Sequence, residues 1–190
     1  MTSISITKTT TSKKLSVKTQ TLATVAAIVA AVAVPQFFHV LGAVSGLGTS
    51  IGETFLPMHL PILLVGLLAG PYAGFISGVF GPLTSFALSG MPETAMLPFM
   101  MIELAVYGLT AGLLRNVKLN AFTKVLIAQG AGRLVRAVAI VFSVTVLGNE
   151  LIPTAIIWNS IVKGLPGLLL QWSLLPLLVF WVENRKKNEQ

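Results

Sequence analysis

The feature that most constrains this chain is the alternation of charge and apolar sequence along it. Ten of the thirteen Lys and Arg residues fall in three short segments: Lys8, Lys13, Lys14 and Lys18; then Arg115, Lys118 and Lys124; then Arg185, Lys186 and Lys187. The other polar loops between the apolar runs hold Glu53, Glu93 and Glu150 and no basic residue. Basic segments that flank membrane spans stay on the cytoplasmic side. Both termini are therefore expected inside, and the number of crossings even.

Apolar residues make up 54% of the chain, charged residues only 10%, and the mean hydropathy is +0.85, far from the averages of a water-soluble domain. Six apolar segments can be read, at 21–40, 57–69, 71–89, 97–115, 121–147 and 154–182. A bilayer asks for ~20 residues of helix per crossing. The fold class expected is an all-α polytopic membrane protein with six transmembrane helices and cytoplasmic N- and C-termini. Its parts are a basic cytoplasmic segment at 1–20, a six-helix membrane domain at 21–182 and a basic cytoplasmic tail at 183–190. The second segment is short, and Pro166 is expected to kink the long sixth one. Ala31-Val32-Ala33 has the form of a signal-peptide cleavage site, but the apolar run resumes through Phe37, Phe38, Val40 and Leu41, which suits a full span better.

A net charge of +7 does not point to nucleic acid here, because the positive residues flank helices, where topology and anionic lipid account for them. With no cysteine, thiol chemistry and Cys-ligated metal are excluded. His39 and His59 stand twenty residues apart and make a poor start for a metal site, so neither metal nor cofactor is expected.

Small residues recur at helical spacing. Ala23, Ala27 and Ala31 form one smooth stripe, with Ala26, Ala30 and Ala33 beside them; Gly70, Gly74 and Gly78 form another, and Gly108 and Gly112 a third. Such rows let helix backbones approach closely in lipid. The glycines suit packing within the bundle, whereas a stripe on the first helix is also placed to dock a second membrane protein.

Four ionisable residues fall inside spans: Glu103, Arg133, Arg136 and Lys163. Counting helical rise from the presumed outer ends puts Glu103 ~9 Å deep and Arg136 and Lys163 ~15 Å deep. Arg133 and Arg136 share a face, where like charges repel unless something anionic lies between them. One glutamate cannot neutralise three cations, so about two positive charges are left for a wet cavity or an anionic ligand. His59, Gln129, Trp158 and Asn159 complete the set of candidate substrate-binding residues, although Trp158 also fits an interface anchor. The glycine-rich stretch at 42–56, GAVSGLGTSIGETFL, has the composition of a mobile lid, and Met91-Pro92-Glu93 with Met96, Met100 and Met101 lies at the same rim.

No GxxxxGK[ST], HExxH or GxSxG occurs. No catalytic residue is assigned, and an intramembrane enzyme acting on an anionic lipid, with Glu103 as base, is the weaker alternative.

The chain resembles the substrate-specific S components of energy-coupling factor (ECF) vitamin transporters. The resemblance lies in the alanine-patterned first helix, in FLPMHLPILLVGLLAGPYAGFISGVFGPLTSFALSGMP at 55–92 and in LPFMMIELAVYGLTAGLL at 97–114. The nearest branch is similar to the cobalamin-specific component of lactobacilli. The resemblance implies a non-enzymatic, multi-pass cell-membrane subunit that captures a vitamin from outside between its outer loops and helices four to six. It further implies docking on a transmembrane coupling subunit driven by two cytoplasmic ATPases, and transport by toppling of the whole subunit. Ala23, Ala27 and Ala31 match the family's AxxxA docking face, with the register of Ala26 and Ala30 as the alternative. Interior arginines and amide side chains suit cobalamin, and equally pantothenate, folate or another carboxylate vitamin.

Overall fold

A computed structural model describes residues 15–48 and 50–188. Lys8, Lys13 and Lys14, and with them most of the expected basic segment at 1–20, lie outside the described residues, as do the last two residues of the tail. The described residues form eight α-helices and no strand: α1 (Val17–Ser45), α2 (Ser50–Phe55), α3 (His59–Ala69), α4 (Pro71–Ser89), α5 (Leu97–Leu114), α6 (Ala121–Thr145), α7 (Ala155–Lys163) and α8 (Leu165–Asn188).

Local sequence sets most of the boundaries. Ser16 and Asn120 open α1 and α6 by accepting the amides of Thr19 and Thr123 on their side-chain oxygens. Gly46 and Gly90 end α1 and α4 in the left-handed conformation, φ 73° and 70°. Gly70, at φ 110°, separates α3 from α4, and Pro71 starts the next helix where its missing N–H costs nothing.

Five stretches are long and apolar enough to cross a membrane among the described residues: Val17–Ser45, Ser50–Ala69, Leu97–Leu114, Ala121–Thr145 and Leu165–Val182. α4 has 19 residues, the length of a span, but four glycines and prolines in its interior and several hydroxyls dilute its apolar character.

Two expectations need correction. The stretch at 42–56 is not a continuous loose loop: α1 runs to Ser45 and α2 occupies Ser50–Phe55. With α3 it makes the 20-residue stretch Ser50–Ala69, so the second apolar segment is longer than the 57–69 read from sequence. The break between α2 and α3 falls where Leu56 takes a positive φ of 48° just before Pro57. The sixth segment does not merely kink at Pro166. It divides at Gly164 into α7 and α8, because Pro166 sits in the first turn of α8, where proline begins helices instead of continuing them. α8 carries on to Asn188, which makes the start of the basic tail helical.

α3 lies at the centre, with Ile62, Leu63, Val65 and Leu67 all buried, as befits a helix that is apolar all round. α5 packs on α3, α4 and α6. The closest crossing is between α4 and α5, where the backbones of Gly74 and Gly108 meet so tightly that a Cβ on either would strike the other's carbonyl. Gly78 against Leu104 and Gly112 against Pro71 extend the seam, so the glycine rows serve packing inside the bundle.

The alanine stripe of α1 also turns inward. Ala31 is fully buried with its methyl against Gly81, Ala27 packs with Val65, Ala69 and Ala73, and Ala23 joins the edge of that cluster. Ser77 of α4 donates to the Thr24 carbonyl on the same face. The surface that α1 leaves uncovered carries Leu22, Val25, Ala26, Val29 and Ala33.

Candidate functional site

At the end of the bundle where α1, α4 and α6 finish and α3 and α5 begin lies a cavity of ≈ 560 Å³. Every helix but α8 contributes to its wall: His39 from α1, Glu53 from α2, His59 from α3, Ser85 from α4, Met100 and Glu103 from α5, Arg133 and Arg136 from α6, Asn159, Ser160 and Lys163 from α7. Met58, Met91, Met96, Pro153 and Ile156 make much of the rest of the wall apolar.

Glu103 is the best-held group in it. Arg136 Nη1 donates to Glu103 Oε2 at 2.9 Å and the Tyr107 hydroxyl donates to Oε1 at 2.8 Å, both in the interior. Tyr107 reaches that position because residue 132 is glycine; a Cβ there would strike the tyrosine ring. The Tyr107 ring in turn lies 5.4 Å from the imidazole of His59, which is buried with Nδ1 lacking a hydrogen-bond partner. Both carboxylate oxygens of Glu103 being engaged, it is poorly placed to serve as a base.

Lys163 corrects the expected charge balance. It is the last residue of α7, its side chain is 65% exposed, and it meets Glu53 of α2 at 3.1 Å across the rim. It is therefore neither interior nor unmatched. With Glu53, Glu93 and Glu103 lining the cavity beside Arg133, Arg136 and Lys163, the expected surplus of about two cations does not hold. Arg133 alone of the three makes no hydrogen bond or ion pair among the described residues, and its Nε is sealed from solvent. The local sequence around 163 is apolar enough to look like span interior, and Glu53 is too distant in the chain to be recognised as its partner.

Six of the eight candidate residues, namely His59, Glu103, Arg133, Arg136, Asn159 and Lys163, thus line one cavity. Gln129 and Trp158 do not. Gln129 donates to Gln171 Oε1 at 2.8 Å and accepts from the Trp172 indole at 2.6 Å, which ties α6 to α8. Gln171 passes the connection on to the Leu56 carbonyl at 3.3 Å. This is a buried, satisfied polar network that holds helices together. Trp158 points away from the cavity and is 69% exposed, as suits an interface anchor.

Sequence reasoning left out of the site Glu53, His39, Ser85 and Tyr107. Of these only Tyr107 had a readable signal, since it stands four residues after Glu103 on the same helix face. No group of three or more His, Asp or Glu residues that could hold a metal ion occurs among the described residues.

Comparison with curated proteins and with solved structures gave no match. The family model of the ECF transporter substrate-specific component matches residues 17–179, nearly the whole of the described chain. A helical, multi-pass membrane protein with a lined cavity at one end of its bundle, the chain belongs to the family of ECF transporter substrate-specific components, which are substrate-binding transport subunits and not enzymes.

Proposed function

We propose that this chain captures a vitamin on the extracellular side of the cell membrane and delivers it through an ATP-driven ECF importer. In this reading α4 is the sixth span, both termini are cytoplasmic, and the parts are a basic segment at 1–20, a membrane domain at 21–182 and a basic tail at 183–190. The cavity then opens outward, since it lies at the end opposite the loop with Arg115, Lys118 and Lys124. The observation that carries the reading is the convergence of seven polar or charged side chains from α3, α5, α6 and α7 on one largely apolar cavity.

The ligand is a compact vitamin. Cavities of ~300–1,000 Å³ enclose drug-sized molecules, and ≈ 560 Å³ falls in that range. A corrinoid with its nucleotide loop is larger, so the size favours a pantothenate-sized solute over cobalamin. The partners are a transmembrane coupling subunit and two cytoplasmic ATPases. Docking uses the uncovered face of α1, in the register of Ala26, Ala30 and Ala33, because Ala27 and Ala31 are already spent on α3 and α4.

Uptake by proteoliposomes tests the function. Co-reconstituted with an ECF coupling module, the chain is expected to accumulate a labelled vitamin only when ATP is inside the module's compartment. Concentrative uptake by the chain alone would overturn the reading.

A further inference from the structure

Resting on the capture reading above, we propose that the captured solute carries a single anionic group, a carboxylate or similar oxyanion, and that Arg133 is the residue that receives it. The charges of the cavity carry the inference. Glu103 and Arg136 neutralise each other at the base, and Glu53 and Lys163 do so at the rim. Arg133, midway along α6, is left as the one lining Lys or Arg without a hydrogen bond or ion pair among the described residues.

Glu103 directs its oxygens to Arg136 and Tyr107, and neither oxygen is within hydrogen-bond or ion-pair distance of Arg133. A guanidinium half-buried in a membrane bundle is costly unless it is matched. With apolar wall around it, a carboxylate entering from the cavity would meet it in a medium of low dielectric, where a charge-assisted bond is strong. His59, buried nearby with Nδ1 unpartnered, adds a hydrogen-bonding group on the neighbouring helix. Glu93 at the exposed rim disfavours a second negative charge on the part of the solute that remains outermost. The solute's outline is therefore an anionic head seated deep and an uncharged body against Met58, Met96 and Met100.

The test uses the full chain in nanodiscs of zwitterionic lipid, with binding read by thermal shift and calorimetry. The probes are pantothenate, biotin and nicotinate, each beside its neutral alcohol or amide twin, with thiamine and cyanocobalamin as cationic and large comparators. The expected result is that at least one acid binds, its neutral twin binds roughly 10- to 100-fold more weakly, and Arg133→Gln removes that preference while Arg133→Lys keeps part of it. Because Arg133 makes no hydrogen bond or ion pair among the described residues, Arg133→Gln should leave the melting temperature of the unliganded chain unchanged or raise it, whereas loss of a structural role would lower it.

A neutral twin or thiamine binding as tightly as the best acid, or tight binding of cyanocobalamin that Arg133→Gln leaves unchanged, overturns the anionic class while leaving capture intact. Binding of none of the probes overturns capture and the proposal with it. If replacing the lipid by phosphatidylglycerol stabilises the chain through Arg133 as much as an acid does, the anion is a lipid headgroup and the solute assignment falls.

Discussion

Arg136 donates from Nη1 to Glu103 Oε2 at 2.9 Å, joining α6 to α5 across thirty-three residues of sequence. The carboxylate is 1% exposed and the guanidinium 13%, so the pair stands away from solvent, and the Tyr107 hydroxyl on the other oxygen fixes the carboxylate's orientation. Removing one member of such a pair leaves the other as an uncompensated buried charge. Glu103→Ala and Arg136→Ala are each expected to cost roughly 3–5 kcal/mol. The double variant Glu103→Gln, Arg136→Met should recover much of that loss. Unfolding in mixed micelles measures all three, and a double variant less stable than either single one would contradict the pairing.

The Gln129, Gln171 and Trp172 network makes a separate prediction. Gln129→Leu strands the Trp172 indole and the Gln171 carbonyl, at a cost of about 1–3 kcal/mol. Since Gln129 lies outside the cavity wall, the affinity of whatever ligand the wild type binds should stay within twofold. Calorimetry beside thermal unfolding separates the two effects.

Gly108 tests the closest helix crossing. A side chain there runs into the backbone of Gly74, which has no rotamer to offer and can move only with α4 as a whole. Gly108→Val should destabilise by roughly 3 kcal/mol or more, above the usual overpacking range of ~1–3 kcal/mol. Gly130, which has open space beside it, is the control: Gly130→Ala should be neutral or mildly stabilising. Size-exclusion profiles and melting curves of the two variants provide the comparison.

Lys163 and Glu53 bridge α7 and α2 at the rim, both more than half exposed. An exposed pair is worth ~0–1 kcal/mol and is screened by salt. Lys163→Ala should therefore shift the melting temperature little, with any shift vanishing at high salt. A large loss of stability would show that the pair is better shielded than its exposure indicates.

The two faces of α1 predict opposite behaviour. Ala27→Leu overfills the seam with Val65, Ala69 and Ala73 and is expected to cost about 1–3 kcal/mol in the isolated chain. Ala26→Leu, on the uncovered side, should leave the isolated chain stable and reduce co-purification with a coupling subunit. Melting curves and pull-down yields, read together, distinguish docking from packing.

Much of the fold was legible because it rests on local rules. Apolar length, the Gly70-Pro71 break, and the caps at Ser16 and Asn120 depend on residues a few positions apart. The glycine rows likewise declared a close crossing, since small residues at helical spacing have few other uses in lipid. The site was partly legible: an ionisable residue within a span must meet something polar, and Glu103, Arg133 and Arg136 do line one cavity. Lys163 misled because an apolar flank at the start of the sixth segment disguised a helix terminus at the rim.

Hydropathy and periodicity act along the chain, so a helical, membrane-embedded protein and the charged residues within it could be read from residue order alone. The packing of the helices assigns Glu103 to Arg136 and Glu53 to Lys163, and leaves Arg133 without an ion pair among the described residues. The same packing turns Ala27 and Ala31 inward, since a stripe of alanines is equally smooth whichever neighbour it meets. Pairings across 33 and 110 residues depend on how helices cross in space, and local periodicity carries no record of that crossing.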